Sequence, residues 1–333
     1  MDFRLTDDQI ALQLGLRELL TGRFGPEQLR TAMTDSEEGR LPLWSELADA
    51  GLFSLRKPEH QEGGLGLGLA EAVLAFEEVG RALVPGPLVA TELATVHAAL
   101  PSHQAAGLCR TRPAGRGPLL VERLPALDTL LLADTVTGEV RSVSPARIRA
   151  RSRRGVDPLT PMWELEEPLP AAEPLPGLDA RRLWAEGSLL TAALQLGVAN
   201  RTVATAVAYA GQREQFGQPI GAFQAVQHLC ADMLARTEPA RAAVRAAAVC
   251  ADAGVRTAEL AVATAGAKLL ADQAAVRGAR DCLQVHGGMG FTWEADVHLL
   301  LKRAWVYEGS FASAPESTEL LAEDLSTAAV GHL

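Results

Sequence analysis

Residues 201–233, RTVATAVAYAGQREQFGQPIGAFQAVQHLCADM, constrain the fold more than any other stretch. Alanine and small apolar residues carry a helix into a charged, aromatic tip at Arg213, Glu214, Gln215 and Phe216. Gly217, Pro219 and Gly221 break it, and a second helix starts near Ala222, so the chain contains a helical hairpin with a polar tip. Arg213 offers a rigid fork of donors matched to phosphate or carboxylate, and Phe216 an apolar face. Gln224 adds an amide at a helix start, where backbone N–H groups are free. The set suits an anionic, partly aromatic ligand such as a nucleotide, and equally a tip that only closes a turn.

The rest of the C-terminal half extends this pattern. Apolar and alanine positions predict long helices over residues 178–211, 222–253, 257–285 and 294–307, with a short closing helix over 315–326. Helices of this length pack as an antiparallel bundle, and their alanine faces suit subunit contacts. In QVHGGMGF, Gly287 and Gly288 follow a helix end and leave room for close backbone approach, with Gln284 one turn earlier. A plain glycine cap explains the same residues, and His286 reads as packed in the turn.

Upstream, Thr6 reads as the N-cap of a helix carrying Ile10, Leu12, Leu14, Leu16, Leu19 and Leu20. A second helix is expected from Leu41, with Trp44 and Leu47 inward and Gly51 as its stop. GGLGLG then leads into a helix over residues 69–83. That loop has no preceding strand and no trailing Lys-Ser/Thr, so it reads as a packing loop before a phosphate cradle. From Cys109 the pattern changes to short apolar pieces at 119–121, 129–132, 139–143 and 163–165 among Pro, Gly and Asp, a small strand-rich module. The basic run ARIRARSRRG reads as a solvated strand or loop, and prolines 168, 170, 174 and 176 as a linker.

A chain of 333 residues, 48% hydrophobic, buries a substantial core, and its net charge of −10 argues against general nucleic-acid or anionic-membrane binding. Four widely spaced cysteines with no CxxC pair, and no clustered histidines, point to neither a metal site nor a disulfide framework. With an acidic amphipathic start in place of a leader and no membrane-length apolar run, a cytoplasmic setting is expected.

Taken together, PEHQEGGLGLGLAEAVLAFEEVGRALVPGPL, YAGQREQFGQPIGAFQAVQHLCADM and QVHGGMGFTWEADVHLLLKRA resemble the acyl-CoA dehydrogenase family. The resemblance implies a mainly α fold: an N-terminal helical domain (residues 1–108), a shortened central β-module (109–170) and a C-terminal four-helix bundle (178–333). It also implies that Arg213, Gln215, Phe216, Gln224, Gln284, Gly287 and Gly288 contact the ADP half of an FAD seated mainly in a neighbouring subunit. A pyrophosphate needs a cation and close N–H donors, which these residue types supply.

Two departures separate this chain from a complete enzyme of that family. The Thr-Glu-Pro, Gly-Ser and Trp-Ile-Thr segments that line the flavin ring and thioester in the family are absent between residues 101 and 170. The second concerns the base that removes the α-proton. Glu308 in VYEGS resembles the family's catalytic segment, but counted without gaps from GGMGF it falls three residues early, and Phe311 takes the catalytic position. The other position used for the base falls at Gly187, beside Glu186, which points about 100° away on a helix. The pattern resembles the small subunit of heteromeric α2β2 enzymes of actinobacterial steroid side-chain degradation. The expectation is therefore a non-catalytic subunit of an FAD-dependent acyl-CoA dehydrogenase. A longer partner subunit would supply the base and acyl-CoA pocket, and an electron-transfer flavoprotein is a further partner the resemblance implies. The alternatives are a self-sufficient dehydrogenase using Glu308, or a protein of this fold without flavin.

Overall fold

The computed structural model describes residues 4–34, 42–111 and 117–330. Leu41, named above as a helix start, lies outside them, as do residues 1–3 and 331–333 at the ends of the expected domains.

Thr6 and Gln9 exchange reciprocal side-chain to backbone hydrogen bonds, which starts α1 (Asp7–Arg23) as a capping box. Its apolar face is packed unevenly: Leu16 and Leu20 are buried and Leu12 and Leu19 half-buried against the core, while Ile10 and Leu14 stay 43% and 55% exposed. Next come α2 (Pro26–Thr34) and α3 (Pro42–Asp49), the latter burying Trp44 and Leu47 before Gly51 turns the chain at φ +83. α4 (Leu69–Ala82) and α5 (Leu88–His97) complete the first helical layer.

β1 (Ala106–Arg110) begins before Cys109 and so lies across the expected start of the middle module. It is followed by β2 (Leu119–Glu122), β3 (Thr129–Ala133), β4 (Val140–Val143), β5 (Ala150–Arg153), β6 (Met162–Leu165) and β7 (Glu173–Pro174). They form a sheet of order β1-β3-β4-β7, with β1 and β3 parallel, and a second of order β2-β6-β5. Part of the expected linker is therefore an edge strand, since β7 pairs with β4 at Arg141 and Ser142. The basic run is a solvated strand: Arg151 and Arg153 of β5 pair with Glu164 on β6.

The last half holds α6 (Ala180–Gln212), the short hairpin β8 (Glu214–Gln215) and β9 (Gln218–Pro219), α7 (Gln224–Asp252), α8 (Thr257–His286), α9 (Val297–Glu308) and α10 (Ala314–Val330). α6 is the central element, buried along most of its length. It crosses α4 with almost no gap: a Cβ at Gly80 would lie 2.2 Å from the Leu194 carbonyl oxygen, and one at Gly197 would lie 2.0 Å from that of Glu77. Helix backbones in contact admit no side chain between them. A buried Arg303 on α9 ties the bundle to the β-module through Asp157, 2.6 Å away, and reaches the Val84 carbonyl oxygen and the Tyr307 hydroxyl. None of the described helices is long and apolar enough to cross a membrane.

Candidate functional site

α6 ends where the Arg213 N–H donates to the Tyr209 carbonyl oxygen at 2.9 Å, and the chain turns through Phe216 and Gly217 at φ +53 and +79. A bulky residue held in the left-handed region costs on the order of 1–3 kcal/mol, so the tip is fixed against its local preference. Phe216 is 92% exposed, touching only the edge of Phe223 at 6.0 Å. Arg213, Gln215 and Gln224 are also exposed. Among the described residues the Arg213 guanidinium has no hydrogen-bond or ion-pair partner, and the Gln215 amide folds back on the Glu214 carbonyl.

Gln284, Gly287 and Gly288 lie at the end of α8 and are likewise exposed. Gly287 adopts φ 57, ψ −138, a conformation that essentially only glycine populates. Gly288 has no positive φ, and an added Cβ there would meet nothing within 4 Å. A helix cap therefore accounts for Gly287 but leaves Gly288 without a reason inside this chain. The Tyr209 ring stacks on His286 with centroids 4.0 Å apart, which joins the base of the hairpin to the α8 turn. All seven positions thus face outward at the end of the bundle where α6 and α8 stop and α7 begins.

The positions expected for a catalytic base are arranged differently. Phe311, held at φ +58, lies against Gly187 so closely that a Cβ there would come within 2.1 Å of its ring, and it packs on Trp184 at 4.9 Å. The two places counted for a base are one contact, filled by a phenyl ring. Both Trp184 and Phe311 line a cavity of about 410 Å³ between α5, α6, the end of α9 and strands β1 and β2. Its ionisable lining groups are Cys109, Arg110, Glu122 and Tyr307. Burial pushes the Glu122 carboxyl up, against the opposing charges of Arg303 and Arg123.

Glu308 is half-buried and is not among the residues lining that cavity. Its charge acts instead on the buried pair Lys268 and Asp272, which are 2.7 Å apart inside the bundle. Glu186, next to Gly187, is surrounded by hydrogen-bonding partners: Arg56 at 2.8 Å, the His97 ring at 2.8 Å and Arg182 at 2.6 Å. Burial raises its pKa, but the hydrogen bond from His97 and the charges of Arg56 and His97 outweigh burial and hold it well below the usual carboxylate range. A carboxylate stabilised this strongly is a poor proton acceptor.

The glycine-rich loop is explained without a ligand. Asp252, the last residue of α7, accepts hydrogen bonds from the Leu69 and Ala70 N–H groups at 2.7 and 2.8 Å, so a carboxylate of this chain already occupies the N-terminus of α4. A side chain at Gly68 would strike it at 2.4 Å. Among the described residues no group of three or more His, Cys, Asp or Glu is placed to hold a metal ion. Sequence reasoning did not anticipate Glu122, Asp157 or Arg303, because isolated charged residues in apolar surroundings carry no periodic signal.

Comparison with known proteins accounts for this architecture. The acyl-CoA dehydrogenase N-terminal domain matches residues 6–104 and the acyl-CoA dehydrogenase C-terminal domain residues 181–309. The chain is 36% identical to acyl-CoA dehydrogenase FadE34 of Mycobacterium tuberculosis over 90% of its own length, but spans only 45% of that relative. It is 33% identical to acyl-CoA dehydrogenase IpdE2 of the same organism, covering 90% of this chain and 91% of IpdE2. Among solved structures, the Tcur3481-Tcur3483 steroid ACAD G363A variant matches at TM-score 0.84 and 25% identity, covering 97% of this chain and 99% of that one. The ChsE4-ChsE5 complex from Mycobacterium tuberculosis matches at TM-score 0.84 and 24% identity, covering 98% and 99%, which is a likeness of fold. The chain is a member of the acyl-CoA dehydrogenase family, whose members use FAD.

Proposed function

We propose that this chain is a non-catalytic subunit of a heteromeric acyl-CoA dehydrogenase, one that completes the FAD site of a longer partner subunit. The observation that carries this reading is the contact between Phe311 and Gly187, which leaves no acid at either position expected for the base. Glu308 lies outside the lining of the cavity beside them, and its charge acts on Lys268 and Asp272.

The outward end of the bundle fits the ADP half of the cofactor. Among the described residues the Arg213 guanidinium has no partner, Gly288 leaves open space beside the backbone, and Gln224 and Gln284 hold exposed amides. These groups would bind the pyrophosphate and ribose side of an FAD whose ring lies in the partner. When bound, FAD accepts the hydride that leaves the β-carbon of the acyl thioester. The ring half is assigned to the partner, because the Thr-Glu-Pro, Gly-Ser and Trp-Ile-Thr segments are absent between residues 101 and 170.

The relatives favour the same division of labour. More than half of FadE34 lies outside the segment that this chain matches, so there the remainder belongs to the same polypeptide. Two of the matching structures are described as a ChsE4-ChsE5 complex and as a Tcur3481-Tcur3483 steroid ACAD. By that likeness the substrate is a bulky acyl-CoA of steroid-degradation type, held mainly by the partner. The electron acceptor would be an electron-transfer flavoprotein, and the setting the cytoplasm.

The test is substitution in the assembled complex. Arg213→Ala lowers retained flavin by about tenfold or more, the loss of one charge-assisted contact, while Glu308→Gln leaves turnover unchanged. Loss of turnover in Glu308→Gln with full flavin content would instead establish the self-sufficient reading.

A further inference from the structure

A groove of about 580 Å³ runs between α1, the end of α4, the second half of α6 and the α8 turn. It is lined on its polar side by Arg17, Arg81, Arg201, Gln212, Tyr209 and His286. Arg17 is neutralised by Glu78, which it meets through two bonds of 2.8 and 2.6 Å. The other two arginines are not neutralised in this way. Arg201 spends one donor on the Arg81 carbonyl oxygen at 3.1 Å, and its remaining nitrogens make no other hydrogen bond to the described residues. Among those residues the Arg81 guanidinium has no ion-pair partner.

Arg81 and Arg201 therefore line one groove. Burial is the largest influence on Arg201 and disfavours its charged form; the carboxylate of Asp296, shared with Arg30 at 3.3 Å, opposes burial, and the Arg81 charge adds to it by a smaller amount. In a chain of net charge −10, this groove keeps a local excess of positive charge. An anion in the groove would gain from both guanidinium groups and offset the burial that disfavours the charge of Arg201. The His286 ring donates from Nδ1 to the Cys282 carbonyl oxygen at 2.8 Å, because a carbonyl can only accept, and Nε2 has no partner among the described residues. Its stack with Tyr209 gives the groove a flat aromatic wall.

We propose that this groove binds a phosphorylated small molecule, with Arg81 and Arg201 as the phosphate ligands. The site is separate from the hairpin tip, and the proposal does not rest on how FAD is held. Isothermal titration of the full chain at low ionic strength, with inorganic phosphate and then ADP as probes, tests it. Saturable phosphate binding is expected, weakened about tenfold or more by Arg201→Gln and also weakened by Arg81→Gln. Among the described residues the side chain of Arg81 makes no hydrogen bond, so the second variant reads the site even if the first folds poorly. ADP binding more tightly than phosphate identifies a nucleotide as the ligand, and equal affinity identifies a bare oxyanion; both support the site. Absence of saturable binding, undiminished binding in Arg81→Gln, or loss of binding in Arg213→Ala would overturn it, the last by moving the anion to the hairpin tip.

Discussion

Replacing Gly187 by alanine probes the Phe311 contact with a sign that changes with background. At an ordinary buried helix position, Gly→Ala stabilises by about 0.8–1.0 kcal/mol through helix propensity. Here the new methyl would sit 2.1 to 2.7 Å from three atoms of the Phe311 ring, which Trp184 holds from the other side. Overpacking of this kind costs about 1–3 kcal/mol, so the steric term wins and Gly187→Ala destabilises. Phe311→Ala removes the obstacle, and in that background the same Gly187→Ala change stabilises by about the propensity term. The coupling between the two sites is thus about 1–3 kcal/mol. Urea unfolding of the four proteins followed by circular dichroism measures it. Equal effects of Gly187→Ala in both backgrounds would refute the contact, and with it the argument that a phenyl ring fills the place of the base.

Two further perturbations test the buried charges. Asp157→Asn leaves Arg303 buried without its counter-charge and costs about 3–5 kcal/mol in urea unfolding, far above a surface substitution. A loss under 1 kcal/mol would show that water reaches Arg303. For Glu186, the folded pKa lies below the ordinary value, so its stabilising contribution is complete above about pH 4.3 and is lost as pH falls through the depressed folded value. Unfolding midpoints between about pH 5 and 3 therefore fall less steeply in Glu186→Gln than in the unmodified chain; parallel curves would contradict the assignment.

Much of the helical architecture was legible because its signals are periodic or local. The alanine-rich helices α6, α7 and α8 span 180–212, 224–252 and 257–286, within two residues of their expected ends. The Thr6 cap was visible for the same reason. β1 was not, since AGLCR carries no alternation, and the run containing β5 was legible only as a strand or loop, because its pairing depends on Glu164 of another strand. Ile10 and Leu14 show the converse error, an apolar stripe longer than the surface available to bury it.

At the candidate site, the residue types at Arg213, Phe216 and Gln284 singled out their segments, but not their common placement. That depends on the stack of Tyr209 on His286, two residues 77 positions apart whose contact no local pattern encodes. Counting from GGMGF identified Phe311 and Gly187 as separate candidates for one role. Their mutual contact is a tertiary fact, as is the place of Glu308 outside the cavity lining.

The central claim is that flavin is held jointly, and the flavin-to-protein ratio measures it most directly. Absorbance of the chain purified alone, compared with the chain co-expressed with a longer acyl-CoA dehydrogenase partner, gives both values. The account predicts little flavin and no acyl-CoA dehydrogenation in the isolated chain, with both recovered in the complex. One flavin per chain, with turnover, in the isolated protein would contradict it.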